Sequence, residues 1–170
     1  MPTLENPKDS IGSAGMRSGF KNMGVYIYCI KEDYAHKSSI KGRAFENEWL
    51  RLEKDGTVIV KGSNGNGYSW DGCSPKFKIK DMYFGTPETV LNYETTRAKT
   101  YYASMIHDVF YQFSRDLKGL VLRREVDGEF YSILKRDGFG SAKFYHWGVR
   151  AFGWFWWGKP EFVKRLLGRP

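Results

Sequence analysis

Between residues 100 and 114 the apolar side chains Tyr102, Ala103, Ile106, Phe110 and Phe113 recur at helical spacing, and His107 and Tyr111 stand four apart on a neighbouring stripe. The pattern predicts a helix with a His-Asp pair at its middle. Upstream of it the period is two. Residues 25–30, VYIYCI, form a β-branched and aromatic run of strand length, and segments 48–52 and 57–60 flank Lys54-Asp55-Gly56, an Asp-Gly hairpin signal. In 76–80, Phe77 and Ile79 alternate with Lys76, Lys78 and Lys80, as in a strand with one wet face. Segments 38–47 and 85–99 are expected as loop, and 62–67, GSNGNG, as a flexible linker. Beyond the His107 segment the 3.6 period continues, predicting helices over about 122–134 and from about 141 into Phe152. Strands first and helices afterwards predict an α+β fold, with a small antiparallel N-terminal sheet, about three helices and no internal repeat.

The ends lack this order. Residues 1–24 carry Pro, Gly, Ser and Asn without periodicity and are expected as a flexible arm, followed by a single domain over 25–153 and an aromatic, basic tail over 154–170. A length of 170 residues suits one core and is too short for two comfortable ones. The aromatic share of 17% is high, and a net charge of +8 points to an anionic partner, either nucleic acid or acidic lipid headgroups. In the tail, Trp154, Phe155, Trp156 and Trp157 cannot all face one side of a helix. Two expectations follow. The rings cap the core or an oligomer contact, or they meet a membrane interface with Lys164, Arg165 and Arg169 beside anionic headgroups. Cys29 and Cys73 allow at most one internal disulfide, and a reducing compartment is the simpler expectation. Neither a secretory signal nor a bilayer-length apolar run is visible.

The chemistry centres on His107. An imidazole held by a carboxylate can take a proton from water, and Asp127, on the next expected helix, is the candidate carboxylate. Asp108 projects about 100 degrees away around the helix and is free for another task. Calcium suits it, because that ion takes carboxylate and carbonyl oxygens, and the Asp71-Gly72 turn offers the Asp71 side chain and the Gly72 carbonyl. A cation there would polarise an ester carbonyl and neutralise the oxyanion formed when water attacks.

At these residues the sequence resembles the secreted phospholipases A2, the small prokaryotic members above all. That family's pattern is a calcium turn Asp-x-Cys-Ser/Thr, a helix with His-Asp-x-x-Tyr, and a second helix with a basic residue shortly before Asp-x-x-Phe. In this chain the same order runs Asp71-Gly72-Cys73-Ser74, His107-Asp108-Val109-Phe110-Tyr111, and Arg124-Glu125-Val126-Asp127-Gly128-Glu129-Phe130. The resemblance covers about 68–153. It implies His107 as general base, Asp127 as its orienter, and Asp71, Gly72 and Asp108 as calcium ligands. The whole chain also resembles an uncharacterised bacteriophage and prophage family, and with no signal peptide or transmembrane segment visible the expected location is host cytoplasm or virion. Two departures stand out. The phospholipases bond the turn cysteine to a cysteine three residues before the histidine, where this chain has Ser104. Gly128 also sits inside the second helix, at a cost of about 1 kcal/mol relative to Ala.

The leading expectation is a calcium-dependent acyl-ester hydrolase acting on glycerophospholipids at an anionic bilayer surface. A second is a non-catalytic phage structural or virion accessory protein, in which Asp71, His107, Asp108 and Asp127 form a structural polar network and the ends make assembly or homo-oligomer contacts. A third, weaker one is nucleic-acid binding through the Lys76, Lys78 and Lys80 face. His146 reads as a packing or capping residue and His36 as a loop residue without a partner. No Cys/His cluster has zinc spacing, and GSNGNG lacks the Lys-Ser/Thr of a phosphate loop.

Overall fold

The computed structural model describes residues 28–70, 72, 77–79, 82–84 and 90–158, the segments 77–79 and 82–84 by backbone alone. Outside the described residues lie the expected arm over 1–24, the start of the first expected strand, Asp71, Cys73, Lys76, Lys80 and the tail from 159 onward, with Lys164, Arg165 and Arg169.

Eight short strands precede three helices. The strands are β1 (Tyr28–Ile30), β2 (Tyr34–Lys37), β3 (Phe45–Glu46), β4 (Leu50–Leu52), β5 (Thr57–Val60), β6 (Tyr68–Trp70), β7 (Phe77–Ile79) and β8 (Met82–Phe84). The helices are α1 (Tyr101–Gln112), α2 (Arg123–Arg136) and α3 (Ala142–Phe152), the last running into a 3-10 turn at Gly153–Phe155. The fold is α+β. Its antiparallel strands form a β1–β6 pair, a four-stranded sheet ordered β2-β5-β4-β3, and a β7–β8 hairpin. Segment 38–47, expected as loop throughout, carries β3, and β2 and β6 arise where the pattern gave no strand.

Alternation sets the inner face of the four-stranded sheet. Leu50 pairs with Val60 and Leu52 with Val58, and all four are buried. Each contributes roughly 1.5–3 kcal/mol through apolar area removed from water. His36, opposite Val58, stands on the same buried face. It is therefore not a partnerless loop residue. Its Nε2 lies 2.7 Å from Glu129 Oε1 on α2, and Glu129 Oε2 accepts from the Ser39 backbone N–H at 3.0 Å and the Ser39 hydroxyl at 2.8 Å. This buried cluster ties the sheet to the second helix. Burial pushes the Glu129 carboxyl up, but the bonds from His36 and Ser39 outweigh it and hold the group below its ordinary value of 4.5. A depressed carboxylate stabilises the fold fully above its unfolded value, and that contribution is lost as pH falls through the folded value. Thermal unfolding of Glu129→Gln followed against pH is therefore expected to show a shallower loss of stability below about pH 4.5 than the wild type, the remainder coming from the other depressed carboxylates such as Asp127.

The expected stripe of α1 is only part of its buried surface. Tyr101, Ala103, Ser104, Met105, Ile106, His107, Val109, Phe110 and Tyr111 are all buried, whereas Tyr102 of the stripe is half-buried. The reason is position: aromatic side chains of the strands cover one end of the helix and α2 packs along it. Tyr28 and Trp70 each meet the Tyr101 ring at 5.0 Å, and Tyr34 stacks on Tyr102 at 4.7 Å. At the start of α2, Glu125 Oε2 accepts from the Leu122 backbone N–H at 2.8 Å, supplying the helix-start bond of a capping box. Arg43 anchors the same carboxylate at 2.6 Å.

Candidate active site

Three helices converge on the Asp127 carboxylate, which is fully buried. From α1, His107 Nε2 lies 3.3 Å from Oδ1, and Tyr111, one turn further on, donates its hydroxyl to the same oxygen at 2.7 Å. The four-residue spacing puts the two rings on one face of the helix, where they stack with centroids 4.1 Å apart. From α2 itself, Arg123 brings Nη1 to 3.4 Å from Oδ2. From α3, Arg150 Nη1 donates to Oδ2 at 3.1 Å. The Arg123 guanidinium also donates to the Val149 and Arg150 carbonyls at 3.2 and 3.1 Å, joining the end of α3 to α2.

Sequence spacing alone missed two of these donors. Arg124, the basic residue within the motif, points to solvent, and Arg123 reaches Asp127 because it lies four residues before it on the helix. Arg150 has no local signal, since it comes from another helix.

Electrostatics follow from this arrangement. Burial pushes the Asp127 carboxyl up, but hydrogen bonds from His107 and Tyr111 and the charges of His107 and Arg123 outweigh it, so the group is held below the ordinary carboxylate value. For His107, burial is the largest single influence and pushes the imidazole down. The carboxylates of Asp108 and Asp127 together overcome it and hold the ring above its ordinary value. The Tyr111 hydroxyl is pushed up by burial and by the neighbouring Asp127 charge. These directions describe an ionised aspartate that fixes the imidazole through Nε2.

Asp108 lies on the other side of His107. Its Oδ1 is 3.9 Å from Nδ1, inside ion-pair range and beyond hydrogen-bonding distance. Rotation around the helix separates Asp108 from Asp127, yet both carboxylates flank the same ring. The end of β6 reaches α1. Trp70, at the end of β6, donates its indole N–H to Ser104 Oγ at 3.0 Å in a buried contact. Ser104 and Asp108 are four apart and so share one stripe of α1, the stripe that Trp70 meets. Gly72 is buried with φ +82°, a left-handed conformation that glycine adopts without strain. Asp71 lies outside the described residues.

The 3-10 turn closes the far side. A Cβ on Gly153 would sit 2.3 Å from Tyr111 Oη and 3.0 Å from Arg123 Nη1, so only glycine lets the backbone pass this close. Trp157 then meets Tyr111 edge-on at 5.1 Å, and Gly158 N–H donates to Ser114 Oγ at 2.9 Å. Trp156 and Trp157 pack against the core, while Trp154 is 67% exposed. The tail thus divides between the site and the surface. His146 stacks on Tyr131 at 4.9 Å, and burial pushes its imidazole below the ordinary value.

Among the described residues no three His, Cys, Asp or Glu side chains cluster at metal-binding range. Carboxylate and backbone-carbonyl oxygens such as those of Asp108 and Gly72 are donors of the kind calcium takes, whereas zinc takes nitrogen and sulfur. No family model, curated protein or solved structure matches the chain.

Proposed function

We propose that this chain is a calcium-dependent acyl-ester hydrolase of the phospholipase A2-like kind, of phage or prophage origin, acting on glycerophospholipids. The observation that carries the reading is the His107–Asp127 pair: Nε2 is engaged by a carboxylate that four donors hold, and Nδ1 is left as the basic atom. In the reaction, Nδ1 removes a proton from water as the water oxygen attacks the ester carbonyl. Asp127 stabilises the imidazolium that results. The same proton then passes from Nδ1 to the departing alkoxide, so water adds across the ester to give a fatty acid and a lysophospholipid. Asp71, the Gly72 carbonyl and Asp108 would hold calcium, which supplies Lewis-acid stabilisation of the oxyanion. Ser104 supports the same reading from a different direction. It stands where the family pattern has a cysteine, and the Trp70 indole bond to it ties the end of β6 to α1 at that position.

The second reading, a virion accessory protein that keeps the scaffold, draws on the saturation of Asp127 by its donors, which also befits a structural anchor. Calcium separates the two. Asp108→Asn is expected to raise the calcium concentration needed for half-maximal fatty-acid release by about tenfold or more while leaving the melting temperature near that of the wild type. Unchanged calcium dependence in a folded Asp108→Asn protein removes Asp108 from the metal site.

A further inference from the structure

One face of α3 is exposed among the described residues. Its inner side carries the buried Ala142 and Val149, with Tyr145 and His146 half-buried against Phe139 and Tyr131. On the opposite side Phe144 is 61% exposed and Trp147 62%, and beyond them come Phe152 at 55% and Trp154 at 67%. The rings touch in series, Phe144 to Trp147 at 6.5 Å and Trp147 to Phe152 at 6.3 Å, so they form one ridge rather than scattered side chains. Isolated exposed apolar residues are ordinary, but a run of large rings along one helix marks an interaction surface.

Charge decides what the surface meets. Lys143 is exposed at one edge of the ridge, and Arg150, seven residues on, directs its guanidinium to Asp127 while its side chain stays 41% exposed. Between Asp137 and Glu161 the chain carries Lys143, Arg150 and Lys159 and no carboxylate. An aromatic ridge edged by Lys143, in a stretch of sequence without carboxylates, matches the headgroup layer of an anionic bilayer, where tryptophan rests with its ring in the acyl boundary and its N–H toward water. We propose that the α3 ridge of Phe144, Trp147, Phe152 and Trp154 docks the protein on an anionic phospholipid bilayer. This goes beyond the hydrolase reading, because it needs neither calcium nor His107. It also shifts the membrane contact from Trp156 and Trp157 to α3 and Trp154, since Trp156 and Trp157 are partly buried against the core.

The test is co-flotation of the full chain with vesicles of phosphatidylcholine alone or containing phosphatidylglycerol, in EDTA so that calcium chemistry is absent, with tryptophan emission recorded. The wild type binds the phosphatidylglycerol vesicles with a blue shift, and binding weakens as salt is raised. The double variant Trp147→Ala/Trp154→Ala, whose altered side chains are exposed, keeps the wild-type melting temperature and binds about tenfold more weakly or less. Lys143→Glu loses affinity for the phosphatidylglycerol vesicles and not for phosphatidylcholine alone. Absence of binding by the wild type, or equal binding by the folded double variant, overturns the proposal. So does a wild-type dimer that the double substitution splits without any vesicle binding, which would assign the ridge to a second copy of the chain.

Discussion

His107→Gln is expected to lower the turnover of phospholipid hydrolysis by roughly 10²–10⁴-fold, the usual contribution of a positioned general base. Glutamine approximates the size of the imidazole, and its amide can still donate to Asp127 Oδ1, where His107 Nε2 now lies at 3.3 Å. What it cannot do is accept a proton from water near neutral pH. The fold should persist, because Tyr111, Arg123 and Arg150 keep their bonds to Asp127. Initial rates on micellar substrate, set beside a melting curve, separate the loss of a base from the loss of structure. A folded variant that retains more than about a tenth of wild-type turnover leaves His107 without a catalytic role.

The second large effect is on stability. Asp127→Ala is expected to destabilise the protein by about 3–5 kcal/mol, which for a chain of this length lowers the melting temperature by roughly 10 °C. The size comes from what remains behind rather than from the bonds removed. The His107 ring and the Tyr111 hydroxyl are buried and would lose their acceptor. Two guanidiniums would keep their charges without the carboxylate between them, although Arg150, with a side chain 41% exposed, can turn toward water. Asp127→Asn is expected to fall in between, since the amide keeps one acceptor and turns donors toward the arginines. A melting temperature for Asp127→Ala within about 2 °C of the wild type would mean that the four-donor cluster does not join the three helices.

The helices were legible because each is long enough to show its period. Their observed limits, Tyr101–Gln112, Arg123–Arg136 and Ala142–Phe152, lie one or two residues from those predicted by spacing. The β4–β5 hairpin was legible for another reason, its Asp-Gly turn. β2, β3, β6 and β8 are only two to four residues long, and β2 and β6 are specified by partners far away in sequence, as Tyr68 is by Ile30 and Tyr34 by Val60. The extent of burial on α1 was not legible either, because an amphipathic stripe assumes one covered side and this helix has more.

The same distinction runs through the site. His107, Asp108, Tyr111 and Asp127 carry a local signature, so sequence could name them. Arg150 lies 23 residues from Asp127, and His36 lies 93 from Glu129, so neither pair leaves a mark in any window of sequence. Two positions of α2 only two residues apart thereby serve different ends: Asp127 faces α1 and α3, while Glu129 holds the sheet. Gly128 between them has open space where a Cβ would be.

The most direct test of the hydrolase assignment is product analysis on the full chain with mixed phospholipid and detergent micelles, in calcium and again in EGTA. Equimolar fatty acid and lysophospholipid in calcium, with neither in EGTA, is the predicted result. Release that persists undiminished in EGTA, or no release from a folded protein at saturating calcium, contradicts it.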